Sequence, residues 1–93
     1  MALLIKADGT ESEVRPKGKK FTLEELYQHV GCSTVELLVL PGQPRRDLWM
    51  DEDGKATRKP VNERATALAR TAGIARADFV VGDVLITAPS ETE

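Results

Sequence analysis

The sequence predicts a small single α+β domain: a mainly antiparallel sheet of about five or six strands, with two helices packed on one face. Three observations carry this. Two segments have helical apolar spacing, a capping residue in front and a glycine behind. Asp8-Gly9 and Asp53-Gly54 have the composition of hairpin turns. The remaining apolar runs are strand-length, and 93 residues suffice for one core only. The predicted order is hairpin, helix, strand, hairpin, helix, strand over residues 1–88, with residues 89–93 as a disordered tail.

In the first hairpin, Ala2–Ile5 is the apolar arm, Asp8-Gly9 a tight two-residue turn, and Glu11–Arg15 the polar returning arm at a sheet edge. Pro16 and Gly18 in "PKGKK" then interrupt regular structure. The first helix is the best signposted element. Thr22 and Glu25 have capping-box spacing, and Phe21 with Leu26 a hydrophobic staple. Leu23, Leu26, Tyr27 and Val30 form one stripe, and Gly31 ends the helix.

"STVELLVLPG" reads as a strand buried on both faces, because Leu37–Leu40 is continuously apolar. Pro41, Gly42 and Pro44 form a loop. "RDLWMDEDGKATR" reads as a second hairpin, outward along Leu48–Met50 and back along Lys55–Thr57. Asn62 caps the second helix; Ala65, Leu68, Ala69 and Ala72 share its buried face, and Gly73-Ile74 fits a Schellman ending. The last strand runs from Phe79 to Thr87, with Gly82 marking a bulge or a close backbone approach.

Hydrophobic residues at 41% and charged residues at 30% are ordinary for a soluble chain, while aromatics at 4% leave the core to Leu, Val, Ile and Ala. So small a domain buries a modest fraction of its surface, and a second subunit over an open sheet edge would add to it; a homodimer is one expected arrangement. A net charge of −2 weighs against a nucleic-acid or anionic-membrane coat. No apolar run approaches the ~20 residues of a bilayer span, and "MALLIKADG" lacks a signal-peptide core. The single cysteine, Cys32, excludes an intramolecular disulfide. The expectation is a cytoplasmic domain without cofactor or metal.

"LLIKADGT", "DEDGK" followed by "PVNERATAL", and "VVGDVLIT" resemble a family of small phage, plasmid and bacterial proteins, domain of unknown function 3846. The resemblance runs from Leu3 to Thr87, and its recurring combination is Asn62, Ala65-Thr66 and Gly82-Asp83. It implies an accessory gene of a mobile element. It carries no established activity and no catalytic residues.

The acids of "DEDG" do not make a calcium loop. With Gly54 at the sixth position, the first falls on Trp49 and the twelfth on Pro60, so both essential ends are missing. A hairpin tip explains them better. Cys32 and His29 fall at a helix C-terminus, where the dipole disfavours a thiolate, so a structural cysteine is expected. Asp83, inside an apolar strand, is either an outward alternation residue, a cap on the bulge, or an inward acid that must be paired.

The basic residues are the stronger binding candidates. Lys17, Lys19 and Lys20 precede the first helix; Arg45 and Arg46 precede Trp49; Arg58 and Lys59 precede the second helix. If these loops converge they form a surface for phosphates or an acidic partner; otherwise they are solvated charges. Trp49 is a core residue or an exposed anchor, with the core favoured. The functional expectation is a non-enzymatic binding protein of mobile-element type, acting on a host macromolecule or a small anionic ligand. The alternatives are a nucleic-acid-binding module, a small enzyme using carboxylates such as Asp83 or Asp51, and a structural subunit of an oligomer.

Overall fold

The computed structural model describes residues 2–93. Its elements are β1 (Ala2–Ile5), β2 (Glu11–Val14), α1 (Leu23–Val30), β3 (Val35–Leu40), β4 (Arg46–Asp51), α2 (Glu63–Thr71) and β5 (Val84–Thr87). They form a five-stranded sheet of order β2-β1-β5-β4-β3 in which every pairing is antiparallel. The α+β class, the antiparallel sheet and the pair of helices are as the sequence predicts.

The last strand in sequence is the central one in space. All four residues of β5 are buried, since it has a strand on each side and a helix over each face. The register draws side chains into rows across the sheet. Leu3, Ile86, Leu48 and Leu38 lie on one face; Leu4, Leu85, Trp49 and Leu37 lie on the other.

These rows correct the expected helix placement. α2 packs on the first face, where Ala65 and Ala69 meet Ile5, Leu48, Val84 and Ile86. α1 packs on the opposite face, where Leu26, Val30 and Phe21 meet Ala2, Leu4 and Leu85. The physical reason is visible in β1 and β5: "ALLI" and "VLI" are apolar at successive positions, so both sheet faces need cover. Helices on one face would have left Leu4 and Leu85 in water, at roughly 1.5–3 kcal/mol for each large side chain.

The strand boundaries differ too. β3 is an edge strand rather than a doubly buried one, with Leu37 41% and Val39 43% exposed. α1, at eight residues, is about 12 Å long and leaves them uncovered. β4 turns back from β3 through residues 41–45, and β5 occupies its other side, so no place remains for a returning strand at Lys55–Thr57. Residues 52–58 coil into successive turns instead, with Thr57 N–H on Asp53 O and Lys59 N–H on Gly54 O. Gly54 is buried there, and a Cβ at this position would stand 2.7 Å from Val81 Cγ2, so the coil closes on Val81 only with glycine. The first hairpin closes on a three-residue loop, Ala7-Asp8-Gly9, between a Lys6–Thr10 pair, longer than the expected tight turn. The final strand starts only at Val84, since Gly82 at φ +76° bends the chain before it. The C-terminal residues, expected as a disordered tail, form a 3₁₀ turn at Pro89–Glu91, and Phe21 N–H donates to Glu91 O while Glu93 N–H donates to Phe21 O.

Candidate functional site

The basic loop between β2 and α1 is held from beneath by one carboxylate. Lys17 N–H donates to Glu25 Oε2 at 3.0 Å, and Thr22 N–H donates to Glu25 Oε1 at 3.1 Å. Glu25 N–H in turn donates to Thr22 Oγ1, completing the predicted capping box. The backbone N–H groups of Thr22, and then of Lys17, hold the Glu25 carboxyl below its ordinary pKa. Glu25 therefore occupies the positive end of α1 as the chain's own anion.

With the backbone turned inward, Lys17, Lys19 and Lys20 are exposed. They line a concavity of about 480 Å³ with Thr22 and Gln28, and the carboxylates of Glu24 and Glu93 stand on it too. None of the three lysines has an ion-pair partner within 4.0 Å among the described residues.

The other predicted site residues separate into two ends of the sheet. Arg45 and Arg46 lie at the end shared by Val14 and Thr87, as the Leu40–Arg46, Asp47–Thr87 and Ala2–Val14 pairings show. The lysine loop follows Val14 and lies at that end as well. Arg45 is committed: its Nε and Nη2 both stand 3.0 Å from Oδ1 of the buried Asp47. Arg46 is exposed and has no ion pair among the described residues. Trp49 is half-buried against the α1-side core, and its indole N–H donates to Thr87 Oγ1 at 3.1 Å. It serves the core.

Arg58 and Lys59 lie at the opposite end. Arg58 ends the coil of turns at φ +58°. Lys59 closes the C-terminus of α1: its Nζ donates to Gly31 O at 2.7 Å and Val30 O at 3.3 Å, and pairs with Asp51 at 2.8 Å. Its aliphatic stem crosses Gly82, where a Cβ would meet Lys59 Cδ at 2.8 Å. This is the close approach that Gly82 accommodates. The basic loops therefore do not converge as one surface.

Asp51 and Asp83, each weighed as a carboxylate of a small enzyme, are both engaged in the fold. Asp51 accepts from Asp53 N–H as well as pairing with Lys59. Asp83 accepts the Ala7 N–H at 2.9 Å, pinning the first hairpin loop to the start of β5. The Cys32 thiol is pushed up, first by burial and then by the nearby Asp51 charge.

The residue whose reach the sequence understated is Asn62. It caps α2 by accepting the Ala65 N–H at 2.9 Å, as expected. Its Nδ2 also donates to Ile5 O at 3.0 Å and Gly82 O at 2.9 Å, joining α2 to β1 and to the chain entering β5. Thr66 Oγ1 donates to Asn62 O and accepts the Val80 N–H. A second recess, of about 300 Å³, opens on the α2 side between Leu38, Met50, Ile74 and Phe79, with the Lys55–Asp78 ion pair at its rim and Lys55 Nζ 4.8 Å from the Phe79 ring centroid. Its walls come from segments far apart in sequence, so no local pattern announces it. Among the described residues no helix is long and apolar enough to cross a membrane.

A family model described as a domain of unknown function, number 3846, matches residues 1–93. The chain belongs to this family. No curated protein and no solved structure matches it. Domain of unknown function 3846 was also the resemblance carried by Asn62, Ala65-Thr66 and Gly82-Asp83. In this member those residues are the hub that locks α2, β1 and β5 together.

Proposed function

We propose that this chain is a non-enzymatic binding protein of the mobile-element accessory type, working in the cytoplasm and recognising an anionic group through Lys17, Lys19 and Lys20. The observation that carries the reading is the arrangement of that loop: three exposed lysines without ion-pair partners among the described residues, around a concavity of about 480 Å³. Glu25 anchors the backbone at the two ends of this loop, at Lys17 and Thr22, so less of it is left for ligand binding to order. The mobile-element setting rests on the family resemblance. The structural engagement of Asp51 and Asp83 favours binding over acid–base chemistry.

Glu24 and Glu93 beside the lysines weigh against a long polyanion, which would have to lie along them. A compact phosphate or carboxylate group, free or on the surface of a host protein, suits the lysines better. The test is a titration of the protein with pyrophosphate, followed by amide chemical shifts at low and raised salt. The expected result is shifts confined to residues 17–28, weakened by salt and abolished in Lys17→Gln/Lys19→Gln/Lys20→Gln. Shifts elsewhere, or none, would overturn the assignment of this loop.

A further inference from the structure

The sheet has two edges of opposite character. β2, at one edge, exposes Glu11, Ser12 and Glu13, and charge of this kind discourages another strand from adding. β3, at the other edge, reads Val-Glu-Leu-Leu-Val-Leu, and from Gly31 to Pro44 the chain carries no charge except Glu36. It has no lysine, proline or bulge to blunt it.

The backbone of this edge is open in a defined way. Glu52 N–H donates to Thr34 O, which sets the phase of the β3–β4 ladder. Hydrogen bonding alternates along an antiparallel strand, so Thr34, Glu36, Leu38 and Leu40 turn their backbone groups toward β4. Val35, Leu37 and Val39 turn theirs outward. Leu37 and Val39 are also the two exposed apolar side chains of the strand. Main chain and side chain are thus available on the same residues.

We infer that β3 is a homodimer interface, at which two copies pair edge to edge about a two-fold axis at Leu37 to give one continuous sheet. A two-fold axis normal to the sheet keeps like faces together, so only residues of matching orientation pair. With the axis at Leu37, that residue meets its own copy and Val35 meets Val39 of the second copy. Every outward-pointing backbone group of the edge then finds a partner, the two exposed Leu37 side chains cover one another, and Val39 is covered by Val35 of the second copy. Glu36 lies opposite Leu38. An axis at Glu36 would set two carboxylates face to face, and one at Leu38 would leave Val35 unpaired.

Charge selects a second copy over a foreign strand. Arg46, which has no ion pair among the described residues, flanks the Leu40 end of β3, while Glu52 and Asp53 flank the Val35 end; the charges of Arg45 and Asp51 are already held by Asp47 and Lys59. Antiparallel pairing sets the basic end of each copy beside the acidic end of the other, about three strand spacings or ~14 Å apart at the backbone. That is close to the ~8 Å screening length once the side chains extend, so the attraction orients the encounter. The charged β2 edge does not accept β3, so pairing closes as a dimer instead of growing into a filament.

The test is sedimentation equilibrium of the wild-type chain and of Leu37→Lys and Val39→Lys, with amide hydrogen exchange on each. The wild type should sediment as a dimer, with Val35, Leu37 and Val39 amides exchanging slowly. Both variants should be folded monomers in which those three amides exchange at least ten-fold faster while β5 amides stay protected. A wild-type monomer at micromolar concentration would overturn the inference. So would a dimer that survives both substitutions, or one whose Val35, Leu37 and Val39 amides exchange at loop rates.

Discussion

Asn62→Asp exchanges one NH₂ group for an oxygen and separates two accounts of this residue. As a helix cap, aspartate equals asparagine, and its charge suits the α2 N-terminus. If Asn62 were only a cap, the variant would be as stable as the wild type. As a hub, the outcome inverts. The new oxygen would face Ile5 O at 3.0 Å and Gly82 O at 2.9 Å, three acceptors with no proton among them. Asn62 is 1% exposed, so water cannot take over. Ile5 O keeps its place opposite Val84 in the β1–β5 ladder, but Gly82 O loses its side-chain donor and the new oxygen finds none. At about 1–3 kcal/mol for each unsatisfied group the loss sums to about 2–6 kcal/mol before the buried charge is counted. At about 0.05–0.15 kcal/mol per residue a domain of this size holds about 5–14 kcal/mol in all. Urea unfolding followed by circular dichroism at neutral pH measures the difference directly. A loss of at least about 2 kcal/mol, with a melting temperature lower by about 8 °C or more, is expected. A variant within about 0.5 kcal/mol of wild type would refute the hub and return Asn62 to a simple cap.

Lys59→Met should lower stability by about 2–4 kcal/mol, because it uncaps α1 and strands Asp51, whose side chain is only 6% exposed; the double variant with Asp51→Asn should recover part of that loss, and a neutral Lys59→Met would refute the bridge. Glu25 titrates below its ordinary value of 4.5 in the folded chain, so its contribution is complete above that value and disappears as pH falls through the lower folded pKa. Unfolding midpoints in acid should therefore fall less steeply in Glu25→Gln than in the wild type, and parallel curves would contradict the assignment. Cys32, its thiol raised by burial and Asp51, should react with an aromatic disulfide reagent more slowly than free cysteine at the same pH; an equal or faster rate would show an activated thiol.

Features set within a few residues were legible in the chain. The limits of α1 follow from Thr22, Glu25 and Gly31, and all three act as their side-chain chemistry requires. The buried face of α2 follows from the spacing of Ala65, Leu68, Ala69 and Ala72. The basic loop was legible as charge, but its shape required Glu25 to reach back to Lys17 N–H. The division of the basic residues between two ends was not legible, since it depends on sheet order.

The sequence by itself determined the helices, their caps and the strand-length apolar runs, because these rest on local sterics and on hydrogen bonds closed within a turn. Only the tertiary structure decided that β5 lies at the centre, that the helices cover opposite faces, and that β3 is left at an edge. An apolar run of "VELLVL" and one of "VLIT" have the same local preferences. Which of them is enclosed depends on pairings such as Leu3 with Ile86, more than eighty residues apart in the chain. Burial is a property of what arrives from elsewhere in the fold, and a strand's own residues do not encode it.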